Sequence, residues 1–305
     1  MNEGISRELA KYWWLRCVAC SEASFTTQMR GFGFKEPAYE QALHAFSGGF
    51  MHQGHVSGLL TGAVLAAGFV AQERFQDHEK QSEATLHVAE QLAKAYPEDS
   101  GSINCREITK SNLNSLHGRL NYIKDGKGRM CGRLHLKWAP KAHQIIDKSL
   151  IEYGKNEPIE PSVNCSVQAM HKLELKLGME KGLSTLMAGF AGGVGLCGNL
   201  CGALAVGAYT ISLIRQFDRK KKKRDSRIRG SIEEVFGTNY KGNLTQFRLD
   251  FIRKFGSELC TDIVGHHFKD SRDHSEFLKK GGCNNLINFV NDWVINHSIN
   301  NRSNP

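Results

Sequence analysis

Proline is scarce in this chain, at six residues in 305, so long proline-rich linkers are excluded. Runs of alternating apolar and polar residues, which are typical of strands, are also missing, whereas apolar residues recur at spacings of three and four. The opening residues lack the charged, apolar and small-residue pattern of a secretory signal. We therefore expect an all-α protein in the cytoplasm, where thiols stay reduced.

Charge is absent from residues 182–214, and the basic run Arg219–Arg224 follows. This order is also typical of a membrane span with a positive flank. Glycines and polar residues interrupt the run, however, and the corresponding stretch 45–72 carries His52 and His55. A buried glycine-rich helix explains both stretches, so we expect no membrane association. The net charge of +9 does not by itself select a partner, and we predict no specific binding of nucleic acid.

The chain contains an internal repeat. Landmarks recur in the same order and at nearly equal spacing: Cys20, Gly48-Gly49, Ser57, Cys105 and Cys131 in the first copy, then Cys165, Gly192-Gly193, Cys201, Cys260 and Cys283 in the second. We assign the first copy to residues 1–152 and the second to residues 158–305, with a joint at Pro158 and Pro161. The expected fold is a tandem duplication of one helical module, with the halves packed about a pseudo-two-fold axis and small-residue helices at their centres.

Nine cysteines in a reducing compartment favour metal binding or redox chemistry over a disulfide framework. The second copy keeps four at repeat-defined positions, and these are the predicted metal or cofactor ligands: Cys165, Cys201, Cys260 and Cys283. Four thiolates satisfy a [2Fe–2S] cluster, a [4Fe–4S] cluster or tetrahedral zinc. We predict that the sulfurs of Cys201, Cys260 and Cys283 lie close together, with Cys165 as the fourth.

The first copy departs from this pattern because Ser57 stands where the second copy has Cys201. We expect this half to be a degenerate partner. Its three cysteines and Ser57 should occupy a mirrored pocket; these cysteines are Cys20, Cys105 and Cys131. His52, His55 or Cys17 are alternative sources of the missing ligand.

These residues resemble the C-GCAxxG-C-C family, which is described as redox-active. The family pattern is a cysteine, a GCAxxG-like helix start and two later cysteines. It is matched here by Cys165, CGALAVGA at 201–208, CTDIVG at 260–265 and Cys283. The first copy matches through Cys20, SGLLTGA at 57–63, CREITK at 105–110 and Cys131. A similar domain occurs in split-Soret cytochrome c, where an iron–sulfur cluster accompanies haem, so the resemblance implies an iron–sulfur or redox role for the second-copy cysteines.

No C-x-x-C-H motif occurs, because Ser21 follows Cys17-Val-Ala-Cys20, so no c-type haem is expected. The segment Gly193–Gly198 fits G-x-G-x-x-G, but the residues before it read as a helix, which argues against a dinucleotide site.

Three functional hypotheses follow. The first is an iron–sulfur electron-transfer protein whose basic run Arg219–Arg224 docks an acidic redox partner. The second is a thiol–disulfide or sensing protein that uses Cys197 with Cys201, and the third is a zinc-stabilised scaffold without catalysis. No paired carboxylates or Ser-His-Asp spacing indicate a catalysed reaction.

Overall fold

The structure is a computed structural model that describes residues 4–17, 19–155, 162–221 and 242–300, without the side chains of 216–221 and 298–300. Within these ranges regular structure is helical, apart from two isolated β-bridges. The expected all-α fold is therefore confirmed. The basic run Arg219–Arg224 lies outside the side chains described.

The first copy consists of a series of helices joined by short turns. Their bounds are Arg7–Arg16 (α1), Cys20–Gly31 (α2), Pro37–Ala42 (α3), Gly58–Arg74 (α4), His78–Ser100 (α5), Cys105–Thr109 (α6), Leu116–Lys124 (α7) and Lys127–Lys155 (α8). A 3₁₀ turn at Leu43–Phe46 continues α3.

The second copy repeats this order. Its helices are Cys165–Leu177 (α9), Leu183–Met187 (α10), Gly202–Lys221 (α11), Asn243–Phe255 (α12), Cys260–Val264 (α13), Ser271–Lys279 (α14) and Asn284–Asn300 (α15). A 3₁₀ turn at Ala188–Phe190 continues α10. In landmark order α9 corresponds to α2, α11 to α4 and α13 to α6.

The two copies exchange contacts reciprocally. In the first copy α3 packs on α11 of the second, and in the second α10 packs on α4 of the first. The rings of Phe46 and Phe190, from the two 3₁₀ turns, meet with centroids 5.2 Å apart. Both copies contribute to one continuous hydrophobic core. This reciprocity is what the predicted pseudo-two-fold duplication requires.

The small-residue helices α4 and α11 form the centres of the copies, as expected. Almost every side chain of α4 from Gly58 to Ala71 is buried, and so are Cys201 to Thr210 around the start of α11. Small residues let neighbouring backbones approach, since little side-chain volume separates them. The charge-free run thus lies in the protein core. No helix in the described ranges combines the length and the apolarity needed to cross a bilayer.

Helix α2 packs tightly against α4 in the first copy. A Cβ atom at Gly62 would lie 2.3 Å from the carbonyl oxygen of Ser21 and 2.9 Å from the nitrogen of Phe25. The hydroxyl of Ser24 donates to the carbonyl of Leu59 at 2.6 Å, which fixes the same pair of helices. This contact sets the position of Cys20 at the start of α2.

We predict that Gly62→Ala destabilises the protein, because the added methyl group forces α2 away from α4. The free energy of unfolding, measured by urea denaturation, should fall by about 1–3 kcal/mol. Gly128→Ala in α8 is the matched control, since a Cβ there meets a single neighbouring atom, at 3.9 Å. Equal stability of the two variants would contradict the proposed packing.

Candidate functional site

Each cysteine of the second-copy set lies at the N-terminus of a helix. Cys165 and Cys260 are the first residues of α9 and α13, and Cys201 and Cys283 immediately precede α11 and α15. All four side chains are buried, with no more than 6% of any residue exposed. The N-terminal ends of the long helices α9, α11 and α15 carry partial positive charge, which favours negative charge on nearby sulfur.

A β-bridge joins the segments that carry Cys201 and Cys260. The backbone N–H of Cys201 donates to the carbonyl of Glu258 at 2.8 Å, and that of Cys260 donates to the carbonyl of Asn199 at 2.7 Å. In this pattern the two cysteines are diagonal neighbours on one face of the bridge, a relation that typically separates residues by about 7–8 Å. Local backbone pairing therefore brings together two residues that are far apart in the sequence.

Cys165 is brought to the same place by a close approach of α9 to α11. A Cβ atom at Gly202 would lie 2.4 Å from Oγ of Ser166 and 2.7 Å from the carbonyl oxygen of Phe190. Only glycine therefore fits directly after Cys201. The backbone N–H of Gly192 also donates a hydrogen bond to the thiol of Cys165.

This N–H belongs to a left-handed turn. Residues Gly192 to Leu196 all have positive φ, from +58° to +86°, and residues Gly48 to His52 in the first copy repeat the turn with φ from +49° to +74°. Successive left-handed residues are costly for side chains other than glycine. Such strain persists where surrounding structure enforces it and is concentrated at functional sites. The glycines that match G-x-G-x-x-G are therefore explained by the left-handed backbone of this segment.

Burial dominates the electrostatics of the four thiols. It raises the pKa of Cys201 to about 12, although the N–H groups of Leu204 and Ala203 act in the opposite direction. It also raises the pKa values of Cys165, Cys260 and Cys283, and a thiolate at any of the other three positions raises that of Cys260 further. The four thiols therefore share one electrostatic environment.

The set does not surround a single point. Among the residues that the structure describes, no three His, Cys, Asp or Glu side chains lie close enough together to hold one metal ion. The four thiols lie close enough to interact electrostatically, but they are not gathered into a mononuclear coordination sphere.

Cys197 has a different environment. Its thiol lies 3.7 Å from the carbonyl oxygen of Gly195, and its pKa is raised by burial and by the charge of Glu90, while Lys94 lowers it. Both charged residues belong to α5 of the first copy. Cys197 therefore faces the other half of the molecule.

The first copy repeats the bridge. The N–H of Ser57 donates to the carbonyl of Ile103 and that of Cys105 donates to the carbonyl of His55, both at 2.7 Å. The thiol of Cys20 lies at the start of α4, because a Cβ at Gly58 would be 2.5 Å from its sulfur. Ser57, Cys20 and Cys105 thus occupy the positions that mirror Cys201, Cys165 and Cys260.

Cys131 departs from the symmetry, because it lies inside α8 and not before a helix. It still shares the environment of the other first-copy thiols, since charge on Cys20 or Cys131 raises the pKa of Cys105 beyond the effect of burial. Tyr122 forms a hydrogen bond with Cys131. The first-copy pocket therefore holds three thiols together with hydroxyl groups.

The alternative first-copy ligands have other surroundings. His55 is bonded through Nε2 to Oε2 of Glu258 in the second copy, at 2.8 Å. Burial and the charge of Arg119 lower the pKa of His52 to about 4. Burial and the charge of Glu22 raise the pKa of Cys17.

Sequence reasoning missed a polar network between the copies. Arg248 donates from Nε and Nη2 to the two carboxylate oxygens of Glu258, at 2.5 and 3.0 Å, and Nη2 also donates to Oε1 of Gln53 at 2.9 Å. Across the pseudo-axis, Nδ2 of Asn199 donates to Oδ1 of Asn104 at 2.8 Å. One signal was present in the repeat: Glu258 stands where the first copy has the apolar residue Ile103.

The network determines the charge of Glu258. Burial acts to raise its pKa, but hydrogen bonds from His55 and Arg248 and the charge of Arg248 outweigh that effect and hold the pKa below its usual value. Glu258 is therefore ionised at neutral pH, and Arg248 compensates its charge. Its carbonyl accepts the N–H of Cys201, so the network also positions a predicted ligand.

Comparison with known proteins gave one family. The model described as "Putative redox-active protein (C_GCAxxG_C_C)" matches residues 18–145 and again residues 163–296. No curated protein and no solved structure matches the chain.

We predict that Glu258→Gln destabilises the fold, because the half-buried Arg248 loses the charge of its buried partner. At pH 7 the free energy of unfolding should fall by about 3–5 kcal/mol. The pKa of Glu258 in the folded state lies below the ordinary value of 4.5, so its contribution is present above about pH 4.5 and is lost as the pH falls through the folded-state pKa. The stabilities of variant and wild type should therefore converge in acid. Glu107→Gln, at an exposed position, should change stability by less than about 0.5 kcal/mol.

We also predict slow alkylation of the second-copy thiols in the metal-free protein. With a pKa of about 12, Cys201 should react with iodoacetamide at pH 7.5 about a thousandfold more slowly than in the urea-unfolded chain, because the thiolate is the reacting form. Peptide mass spectrometry of a time course gives the rates residue by residue. A fast-reacting residue among the four would instead favour a thiol–disulfide protein.

Proposed function

The chain belongs to the C_GCAxxG_C_C family of putative redox-active proteins, and from this premise we propose that it is an electron-transfer protein that binds an iron–sulfur cluster in its second copy. The proposed ligands are Cys165, Cys201, Cys260 and Cys283. One observation carries the proposal: folding brings these four repeat-defined cysteines, from four different helix N-termini, into one buried electrostatic environment.

The chemistry of the donors fits such a cluster. Buried thiols remain protonated in isolation, and positively charged iron offsets the cost of ionising them. The N–H groups of Gly192, Ala203 and Leu204 already point at two of the sulfurs, which is the arrangement that stabilises thiolates. A bound cluster would supply a site for one-electron exchange.

The surroundings would tune that exchange. Reduction adds a negative charge to the site, and the N–H donors and the N-terminal ends of α9, α11 and α15 stabilise negative charge. The negative charge of Glu258 would oppose reduction, but the positive charge of Arg248, which donates to both of its carboxylate oxygens, weakens that effect. These features should raise the reduction potential.

The separation of the thiols supports a cluster over zinc. Zinc–sulfur bonds of 2.3 Å in a tetrahedron place the sulfurs about 3.8 Å from one another. Such convergence does not occur among the described side chains. The four ligands of a [4Fe–4S] cluster each bind a different iron atom and therefore lie farther apart, so a cluster of this type requires less rearrangement of this pocket than zinc does.

The redox partner is part of the proposal. An acidic protein would complement the basic run Arg219–Arg224 by long-range attraction. Electron transfer to such a partner should slow as ionic strength rises, because salt screens exposed charges.

We predict that anaerobic reconstitution with Fe²⁺ and sulfide gives a brown protein that contains iron and sulfide. Cys260→Ser should abolish most of the visible absorption. Cys105→Ser is the matched control, because it removes the equivalent cysteine of the first copy, and Cys197→Ser is a second; both should retain the absorption. Elemental analysis completes the test: zinc in place of iron, or full iron retention in Cys260→Ser, would refute the assignment.

A further inference from the structure

The two pockets differ at a second pair of aligned positions. Tyr96 and Phe251 each lie nine residues before the cysteine that opens the following short helix, Cys105 or Cys260 (105 − 96 and 260 − 251). The copy that has serine in place of the fourth cysteine is thus the copy that has tyrosine in place of phenylalanine. Relative to the second copy, the first copy has exchanged one sulfur for two oxygens.

The hydroxyl groups of Ser57 and Tyr96 are hydrogen-bonded to each other. Tyr96 is fully buried, and its hydroxyl lies 2.8 Å from Oγ of Ser57. The same Oγ accepts the N–H of Leu59 at 3.3 Å and so caps α4. In the second copy the equivalent N–H, that of Ala203, points at Cys201. Ser57 therefore keeps the capping role of the cysteine and uses its hydroxyl to bind the tyrosine.

The ring of Tyr96 is held from its other side. Trp138 packs edge-on against it with centroids 4.7 Å apart, and Nε1 of Trp138 donates to the carbonyl of Leu59 at 3.3 Å. Both groups that hold Tyr96 are thus anchored to the first turn of α4. Moving the hydroxyl out of the pocket would break a buried hydrogen bond and disturb this packing.

The hydroxyl of Tyr96 also lies close enough to the three first-copy thiols to interact with them electrostatically. Beyond the effects of burial and the Ser57 bond, negative charge on any of the three raises its pKa; the thiols are Cys20, Cys105 and Cys131. A second phenol, Tyr122, is bonded to Cys131 and aligns with Phe277, since both precede a turn glycine by four residues (126 − 122 and 281 − 277). The first copy therefore has hydroxyl groups at two positions where the aligned residues of the second copy, Phe251 and Phe277, have none.

We propose that the Ser57–Tyr96 hydroxyl pair closes the first-copy pocket to soft metals, so that one chain binds a single cluster. The pair supplies no thiolate, and the phenol oxygen lies 2.8 Å from Oγ of Ser57, against the position of the missing fourth ligand. The first copy is then a latent site that Ser57→Cys together with Tyr96→Phe opens. Only the statement that one chain binds a single cluster rests on the proposed iron–sulfur function of the second copy.

The test uses the full chain in a Cys201→Ser background, in which only the first-copy pocket can be loaded. After anaerobic reconstitution with Fe²⁺ and sulfide, this background should contain little iron. Adding Ser57→Cys and Tyr96→Phe together should raise the iron content and visible absorption at least fivefold. Adding Ser57→Cys alone should give less than a third of that gain, because the phenol remains in place.

Alkylation provides an independent readout. Each protein is first treated with Fe²⁺ and sulfide and then exposed to iodoacetamide during a brief unfolding pulse. In the variant with Ser57→Cys and Tyr96→Phe, bound cluster should protect Cys20 and Cys105 from alkylation. In the Cys201→Ser background alone, these cysteines should be alkylated. Circular dichroism and thermal unfolding confirm that each variant is folded. If the double substitution prevents folding, the single variant Tyr96→Phe provides a second measurement. It removes the hydrogen bond between Tyr96 and Ser57, so Cys105 should be alkylated faster than in the wild-type protein when no metal is bound.

Several outcomes would overturn the inference. Two clusters in the wild-type chain would overturn it, and so would equal iron contents in the Ser57→Cys variant and the double variant. A folded double variant with no gain in iron would also overturn it. If the double variant does not fold, an unchanged alkylation rate of Cys105 in Tyr96→Phe has the same meaning. The failure of the proposed function looks different. In that case the wild-type chain takes up no cluster, while the double variant still reports on the first-copy pocket by itself.

Discussion

Thiols buried together cannot all ionise unless positive charge lies among them, and this constraint governs the second copy. Burial and mutual repulsion raise the pKa values of Cys201, Cys260 and Cys283, while helix N-termini and backbone N–H groups act in the opposite direction. The opposing effects leave a pocket that is protonated when empty and suited to thiolates once a cation is present.

The duplication places two such pockets on either side of a pseudo-two-fold axis. Each pocket depends on a β-bridge, a left-handed glycine turn and the close approach of two helices. The bridges contact each other through Asn199 and Asn104 on one side of the axis and through His55 and Glu258 on the other. Because the carbonyls of His55 and Glu258 accept the N–H groups of Cys105 and Cys201, the interface between the copies supports both pockets. This dependence is a physical reason for retaining a copy that lacks the fourth cysteine.

The copies share a backbone and differ in the chemistry of their pockets. Cys201 and Phe251 of the second copy align with Ser57 and Tyr96 of the first, whose hydroxyl groups are hydrogen-bonded to each other. Serine and tyrosine satisfy each other by a hydrogen bond and have no need of a metal. The second copy instead has a fourth thiol at the position of Ser57, and backbone N–H groups point at it.

Repeat spacing and helical periodicity were enough to predict the all-α duplication, the central helices and the reciprocal packing, because these follow from local pattern and from the burial of matched apolar faces. The same spacing also predicted the four cysteines of the second copy as one ligand set, which stays a prediction. Tertiary structure alone decided which partners the other polar groups and thiols meet. It directed Cys197 towards α5, engaged His55 with Glu258 and brought Tyr96 close to the first-copy thiols, since each of these contacts joins segments that are distant in the sequence. Periodicity reports which face of a helix is buried, whereas the partner that a buried polar group meets depends on how the helices are placed around one another.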